Sequence, residues 1–297
     1  MPKAMEPVTT TATPPDLAPT APPPLAALLK LGRPLVMGIL NVTPDSFSDG
    51  GQFLDPKRAI AHAEAMAAQG ADILDIGAES TRPYGCNKPV SADDELDRLK
   101  PVLPAVVKLG LPVSIDSLKA DVVAYALDHG ATIANDVWGL QGDPAMAAAV
   151  AARGVPIIAM HNRTEVDPAI DIVADVAAFF SRSIQIASAA GIARDNIVLD
   201  PGIGFGKTPE QSIITLAHTA AFTAFGLPLL VGASRKRFIN SVSPSPPDQR
   251  IGGSLASHLY AVRQGAAIVR VHDVAETVQA LRVMAAIDLA AVEKITT

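Results

Sequence analysis

One cysteine, one tryptophan and three tyrosines occur among 297 residues. Cys86 has no partner for an intrachain disulfide, which fits a reducing compartment such as the cytoplasm. So few tyrosines and tryptophans leave few aromatic stacking platforms. The 24 basic residues are outnumbered by 30 acidic ones, for a net charge of −6. With no basic block or aromatic-interleaved basic stripe, no nucleic-acid partner is expected. No run of 18 apolar residues is present, so no membrane partner is expected either. Neither an HExxH motif nor a Cys/His metal set occurs, and no serine sits in a nucleophile elbow.

The N-terminus is not a secretory signal: Glu6, Asp16 and eight prolines within the first 24 residues interrupt any apolar core. Residues 1–28 are expected to be a disordered Pro-rich tail, with Leu25–Lys30 able to turn once as helix into the first strand. Residues 29–297 contain no second Pro-rich linker and are expected to form one domain.

What is present is a repeated pattern. Eight short apolar runs each end at or carry a polar residue and lead into a helical stretch. They are Leu35–Leu40, Ile73–Ile76, Val113–Ile115, Thr132–Ala134, Ile157–Met160, Ile197–Leu199, Leu229–Gly232 and Ile268–Val271. Continuous apolar runs suit parallel strands buried on both faces. Eight of them alternating with helices predict an α/β fold, the (β/α)₈ TIM barrel, with its chemistry at the C-terminal strand ends. Helices are expected to start at Ser91, at Asp143-Pro144 and at Thr208-Pro209 by capping logic, and a long helix is expected over roughly Asp167–Ala190.

The strand ends hold the candidate residues. Asp116, Asn135 and Asp200 close strands three, four and six. One such aspartate is as often a helix cap as a ligand. Three acceptor or amide groups at one barrel mouth suit the N–H-rich edge of a flat heterocycle. Ser234-Arg235-Lys236-Arg237 follows strand seven, and Arg270 and His272 share one side of strand eight by alternation. Loops after strands seven and eight often bind phosphate in this fold, and Arg supplies a fork for its oxygens. The G-x-G-x-G run Gly202–Gly206 matches no nucleotide fingerprint. Its glycines allow close backbone approach to a ligand, with Phe205 available to pack on it. His161 ends strand five without an assigned role. His62, His129 and His258 lie on helices and are read as surface or packing residues.

Taken together, these blocks resemble the dihydropteroate synthases. Gly38–Gly51 resembles the first signature of that family and Gly77–Pro83 the second. Asp116-Ser117, Asn135-Asp136, Met160-His161, Asp200–Lys207, Ser234-Arg235-Lys236 and Arg270-Val271-His272 match the remaining blocks in order. The resemblance spans about residues 35–290. It implies a transferase that joins 6-hydroxymethyl-7,8-dihydropterin diphosphate to 4-aminobenzoate, a folate-pathway step and sulfonamide target. It implies Asp116, Lys236 and Arg270 as catalytic residues. Asn41, Asp116, Asn135, Met160, Asp200, Gly204, Phe205, Lys236, Arg270 and His272 would hold pterin and diphosphate. Phe47, Thr81, Arg82 and Ser234 would face 4-aminobenzoate, with Mg²⁺ near Asn41. It also implies a homodimer through the late helices, and mobile loops at 41–56 and 77–90. Two segments depart from the pattern: Tyr84–Lys88 is slightly expanded, and Asn162-Arg163 follows Met160-His161. A pterin-dependent methyltransferase would have no need of Ser80-Thr81-Arg82 or Ser234-Arg235-Lys236. A silent pterin-binding paralogue would be expected to have lost Asn41, Arg82, Lys236 or Arg270, and all four are present.

Overall fold

The computed structural model describes residues 24–43, 55–79 and 90–293. Every expected run is a strand: β1 (Leu35–Asn41), β2 (Ile73–Gly77), β3 (Val113–Asp116), β4 (Ile133–Asp136), β5 (Ile157–Met160), β6 (Ile197–Asp200), β7 (Leu230–Val231) and β8 (Ile268–Val271). All pairings are parallel, in the order β6-β5-β4-β3-β2-β1-β8-β7. A bridge between Leu199 and Leu229 joins the two ends. The Leu199 N–H also donates to the Pro228 carbonyl at 3.0 Å. The result is the expected (β/α)₈ barrel, with its thinnest seam at the two-residue β7.

The polar strand ends follow from the two-residue period of a strand. Ile73, Ile133, Ile158, Val198, Leu230 and Ile268 form one buried cluster inside the barrel. Two residues further along the same strands stand Asp75, Asn135, Met160, Asp200, Gly232 and Arg270. Alternation therefore stacks a polar layer directly on an apolar one. Register also sets strand ends in a row, pairing Asn41 with Gly77, Gly77 with Asp116 and Asp116 with Asn135.

Helix α1 (Leu25–Leu29) corrects the tail boundary. Leu25 is buried and joins the inner cluster with Leu35 and Met37. Burying a leucine contributes about 1.5–3 kcal/mol, so residues 25–28 belong to the barrel and not to the expected tail. The preceding part of that tail lies outside the described residues.

Two of the four expected helix starts stand where capping chemistry places them. Ser91 caps α3 (Ala92–Leu99), which follows α2 (Pro56–Ala68). Thr208 and Gln211 form a reciprocal capping box on α8 (Pro209–Ala217). Two starts differ from expectation. Asp143 does not cap α6 (Met146–Ala151). Its carboxylate instead accepts from the N–H of Ala120, at the head of α5 (Ala120–Asp128), and from that of Ala145. The long helix α7 (Ile172–Ala189) begins at Asp171, which caps Val173 and Ala174, and not near Asp167. Short α4 (Leu103–Val107), α9 (Thr219–Phe222) and α10 (Arg237–Val242) precede α11 (Ile251–Arg263) and α12 (Val274–Glu293).

Helix α7 is long and apolar enough, by length and composition, to cross a bilayer. The sequence expectation of no membrane segment did not single it out, because Asp175, Ser181, Arg182 and Ser183 interrupt the apolar run. In the barrel it packs Val176, Phe179, Phe180 and Ala187 into the layer between strands and helices.

Candidate active site

The polar layer encloses a pocket lined by Asp116, Asn135, Val137, Met160, Asp200, Ile203, Phe205, Gly232, Lys236 and Arg270. Seven of the expected site residues therefore converge: Asp116, Asn135, Met160, Asp200, Phe205, Lys236 and Arg270. A wider, shallower depression beside it is lined by Trp138, Gln141, Asn162, Arg163 and Arg182, among others. It has none of the converging strand-end carboxylates, so the enclosed pocket is the candidate site.

Arg270 organises the pocket floor. Its Nε donates to Asp75 at 2.6 Å and its Nη2 to Asp116 at 2.7 Å. Asn135 Nδ2 lies 3.2 and 3.3 Å from the two Asp75 oxygens. Asp75 is fully buried and so acts as an anchor under Arg270 and Asn135. Asp75 lies inside the run Ile73–Ile76, and the sequence alone assigns it no role. The usable signal was a lone carboxylate inside an apolar run, which demands a buried counter-charge.

The electrostatics follow from this crowding. Burial pushes the Asp116 carboxyl up to about 7, against the opposing pull of Arg270, and Asp75 adds to the rise. Burial raises Asp200 to about 6, opposed by the N–H of Gly202, which donates to it at 2.8 Å, and by Lys236. Burial disfavours the Arg270 charge, but Asp75 and Asp116 outweigh that and hold it well above its ordinary value. Two carboxyl groups are thus kept poised near neutrality. Lys236 Nζ sits over the Phe205 ring, 4.1 Å from its centroid, a cation–π contact that ties the loop after β6 to the loop after β7. Gly204 has φ of 82°, a left-handed conformation that glycine adopts without strain.

The remaining expected residues are spread around this centre. Asn41 ends β1, half-buried. His272 donates its N–H to Ser234 Oγ at 3.2 Å, and its Nδ1 lies 2.9 Å from the same oxygen. That pairing locks the ends of β7 and β8 together. Within the basic cluster, Arg235 pairs with Asp273 through two bonds and is one of two non-glycine residues with positive φ among the described residues. It is a clamp between two loops. His258 is buried and accepts the N–H of Ala233 at 3.1 Å, so it supports the same corner. Phe47, Thr81 and Arg82 lie outside the described residues, as do the expanded Tyr84–Lys88 and most of both long loops.

Comparison with known proteins decides the family. Residues 37–272 match the pterin binding enzyme family. The chain is 44% identical over 260 residues to the dihydropteroate synthase of Bacillus subtilis, covering 87% of this chain and 90% of that one. It is 43% identical to that of Escherichia coli, covering 87% and 93%. The chain belongs to the dihydropteroate synthase family. Solved members of the family superpose closely. The Xanthomonas albilineans dihydropteroate synthase with 4-aminobenzoic acid gives a TM-score of 0.83 at 44% identity, covering 86% of this chain and 94% of that one. The same enzyme in complex with 7,8-dihydropteroate gives 0.79 at 42%, with the same coverage. In this dihydropteroate synthase barrel the matched region runs from β1 to the end of β8, so it includes every residue lining the enclosed pocket.

Proposed function

We propose that the pocket binds the pterin half of 6-hydroxymethyl-7,8-dihydropterin diphosphate and that 4-aminobenzoate attacks it from the Ser234 side. The products are 7,8-dihydropteroate and diphosphate. The observation that carries this reading is the convergence of Asp116, Asn135 and Asp200 on one pocket beside Arg270 and Lys236. A pterin edge offers several N–H donors, and buried carboxylates are strong acceptors for them.

The residues divide the chemistry. Breaking the C–O bond leaves positive charge on the pterin methylene and negative charge on the leaving diphosphate. Asp116, ionised, favours the first. Arg270 and His272 favour the second by preorganised charge and donors. Met160, Ile203 and Phe205 keep the ring's surroundings apolar, and exclusion of water protects the cation. The aminobenzoate nitrogen then forms the new C–N bond and releases a proton. Phe47, Thr81 and Arg82 are assigned to the aminobenzoate side by resemblance alone.

Mg²⁺ fits this donor set in one way. Among the described residues no group of three or more His, Cys, Asp or Glu could hold a metal. The amide oxygen of Asn41 is a single hard donor, and Mg²⁺ commonly takes one or two protein oxygens plus substrate phosphate oxygens. The ion would lie with Asn41 and the diphosphate, where it would neutralise leaving-group charge.

Diphosphate release that requires both substrates and Mg²⁺ tests the reading; no release from folded protein under those conditions would sink it. Replacing Lys236 by Ala is expected to cut turnover at least tenfold, about 1.4 kcal/mol of transition-state stabilisation. Near-normal kinetics in that variant would remove Lys236 from the assignment. The homodimer is proposed to use α12, whose Val283 and Ile287, one turn apart on the same face, are more than half exposed. A light-scattering mass near that of one 30.7 kDa chain would count against it. The lone Cys86 supports placing the enzyme in a reducing compartment such as the cytoplasm.

A further inference from the structure

We infer that Lys207 is a positioning residue: its buried side-chain nitrogen, seated on His161, which Asp175 holds in turn, fixes the Gly202–Phe205 turn that forms one wall of the pterin pocket. The inference rests on the pterin-binding reading of that pocket. Lys207 is among the largest fully buried side chains of the molecule and does not line the pocket. An ammonium has three donors, and three acceptors surround this one. They are the Gly202 carbonyl at 2.9 Å, the Phe205 carbonyl at 3.1 Å and His161 Nδ1 at 2.6 Å. The two carbonyls bracket Ile203 and Phe205, the loop residues that line the pocket.

The partners assign their own proton positions. Burial pulls Lys207 down to about 7; in its ammonium form it has no lone pair, so His161 Nδ1 is then the acceptor. His161 Nε2 then carries the hydrogen and donates to Asp175 Oδ2 at 3.0 Å. Burial and the Lys207 charge hold the imidazole neutral, down at about 3. Asp175 also receives Arg163 Nη1 at 2.9 Å. The chain Arg163–Asp175–His161–Lys207 thus runs from the surface of α7 to the back of the pocket wall.

The turn is moulded onto the same support. Gly202 has φ of 64°, and a Cβ there would lie 2.0 Å from the His161 carbonyl oxygen. At Gly206 a Cβ would meet Arg163 at 2.5 Å. Without Lys207 the Phe205 carbonyl loses its donor and the Gly202 carbonyl keeps only the Phe205 N–H, at 3.0 Å, so the turn loosens. Loosening it moves the Gly202 N–H away from Asp200 and the Phe205 ring away from Lys236. Both changes fall on the pterin side of the site.

The test measures kcat and the two Michaelis constants separately in the full chain, for Lys207→Met and Asp175→Asn, with thermal melting of each. Lys207→Met is expected to raise the KM for dihydropterin diphosphate at least tenfold and to leave that for 4-aminobenzoate within twofold. Asp175→Asn, at the edge of the network, is expected to raise the same KM about threefold. A purely structural role would lower the melting temperature or the active fraction and leave both KM values in place; that result, or an equal rise in both, overturns the inference. If Lys207→Met does not fold, Asp175→Asn decides by the same criterion. Asp200→Asn serves as control. If it leaves the pterin KM unchanged, the pocket reading has failed; if it raises that KM and the two network variants do not, only the role of Lys207 has failed.

Discussion

Replacing Arg270 by Met is expected to destabilise the fold by about 3–5 kcal/mol, the usual cost of orphaning a buried charge, and to lower turnover at least a hundredfold. The stability loss comes from what the guanidinium leaves behind. Asp75 and Asp116 are both buried and would face each other without their shared counter-charge. The Asp116 carboxyl would then rise further. Asp116 already stands at about 7, against an ordinary 3.8. A carboxyl whose pKa is higher folded than unfolded loses stability as pH rises through that interval. The deficit of the variant should therefore be small near pH 4 and largest above pH 7. Melting curves at pH 5 and pH 8 check this, and an equal deficit at both would contradict it. Adding Asp116→Asn should restore part of the stability without restoring turnover. A hundredfold loss corresponds to about 2.7 kcal/mol, reasonable for an Arg that serves both the pocket floor and the leaving group.

Asp200→Asn is the second large effect, and it should act on binding. The amide oxygen of Asn can still accept the Gly202 N–H, a bond of 2.8 Å in the native chain, so the turn is retained. The other side-chain atom becomes a donor pointing at the donors of the pterin edge. A buried donor left unsatisfied costs about 1–3 kcal/mol, which is about a tenfold to hundredfold rise in KM for dihydropterin diphosphate. The KM for 4-aminobenzoate and the melting temperature should change little. A variant whose pterin KM stays within twofold would place the pterin elsewhere.

The barrel was legible because its strands are buried on both faces and so read as unbroken apolar runs. The two-residue period then projected Asp116, Asn135, Asp200 and Arg270 to the mouth without knowledge of any contact. What stayed hidden depends on partners distant in sequence. Asp75 sits within its own apolar run, and its counter-charge lies 195 residues away. His161 and Lys207 are 46 apart, and neither reveals the other. Asp143 looked like the cap of its own helix because Pro follows it, but its carboxylate reaches α5 across a loop. Arg235 looked like a phosphate ligand by charge alone, until Asp273 supplied its partner. Local rules identify elements and faces; pairing among polar residues inside the barrel is set by closure of the ring.

A crystal structure of the protein with 7,8-dihydropteroate bound tests the central claim most directly. The pteridine ring should lie in the enclosed pocket with its N–H edge within about 3.2 Å of Asp116 or Asp200, against Met160 and Phe205, its aminobenzoate arm pointing toward Ser234. A pteridine bound instead in the shallow depression of Trp138 and Arg163, with the strand-end carboxylates untouched, would contradict it.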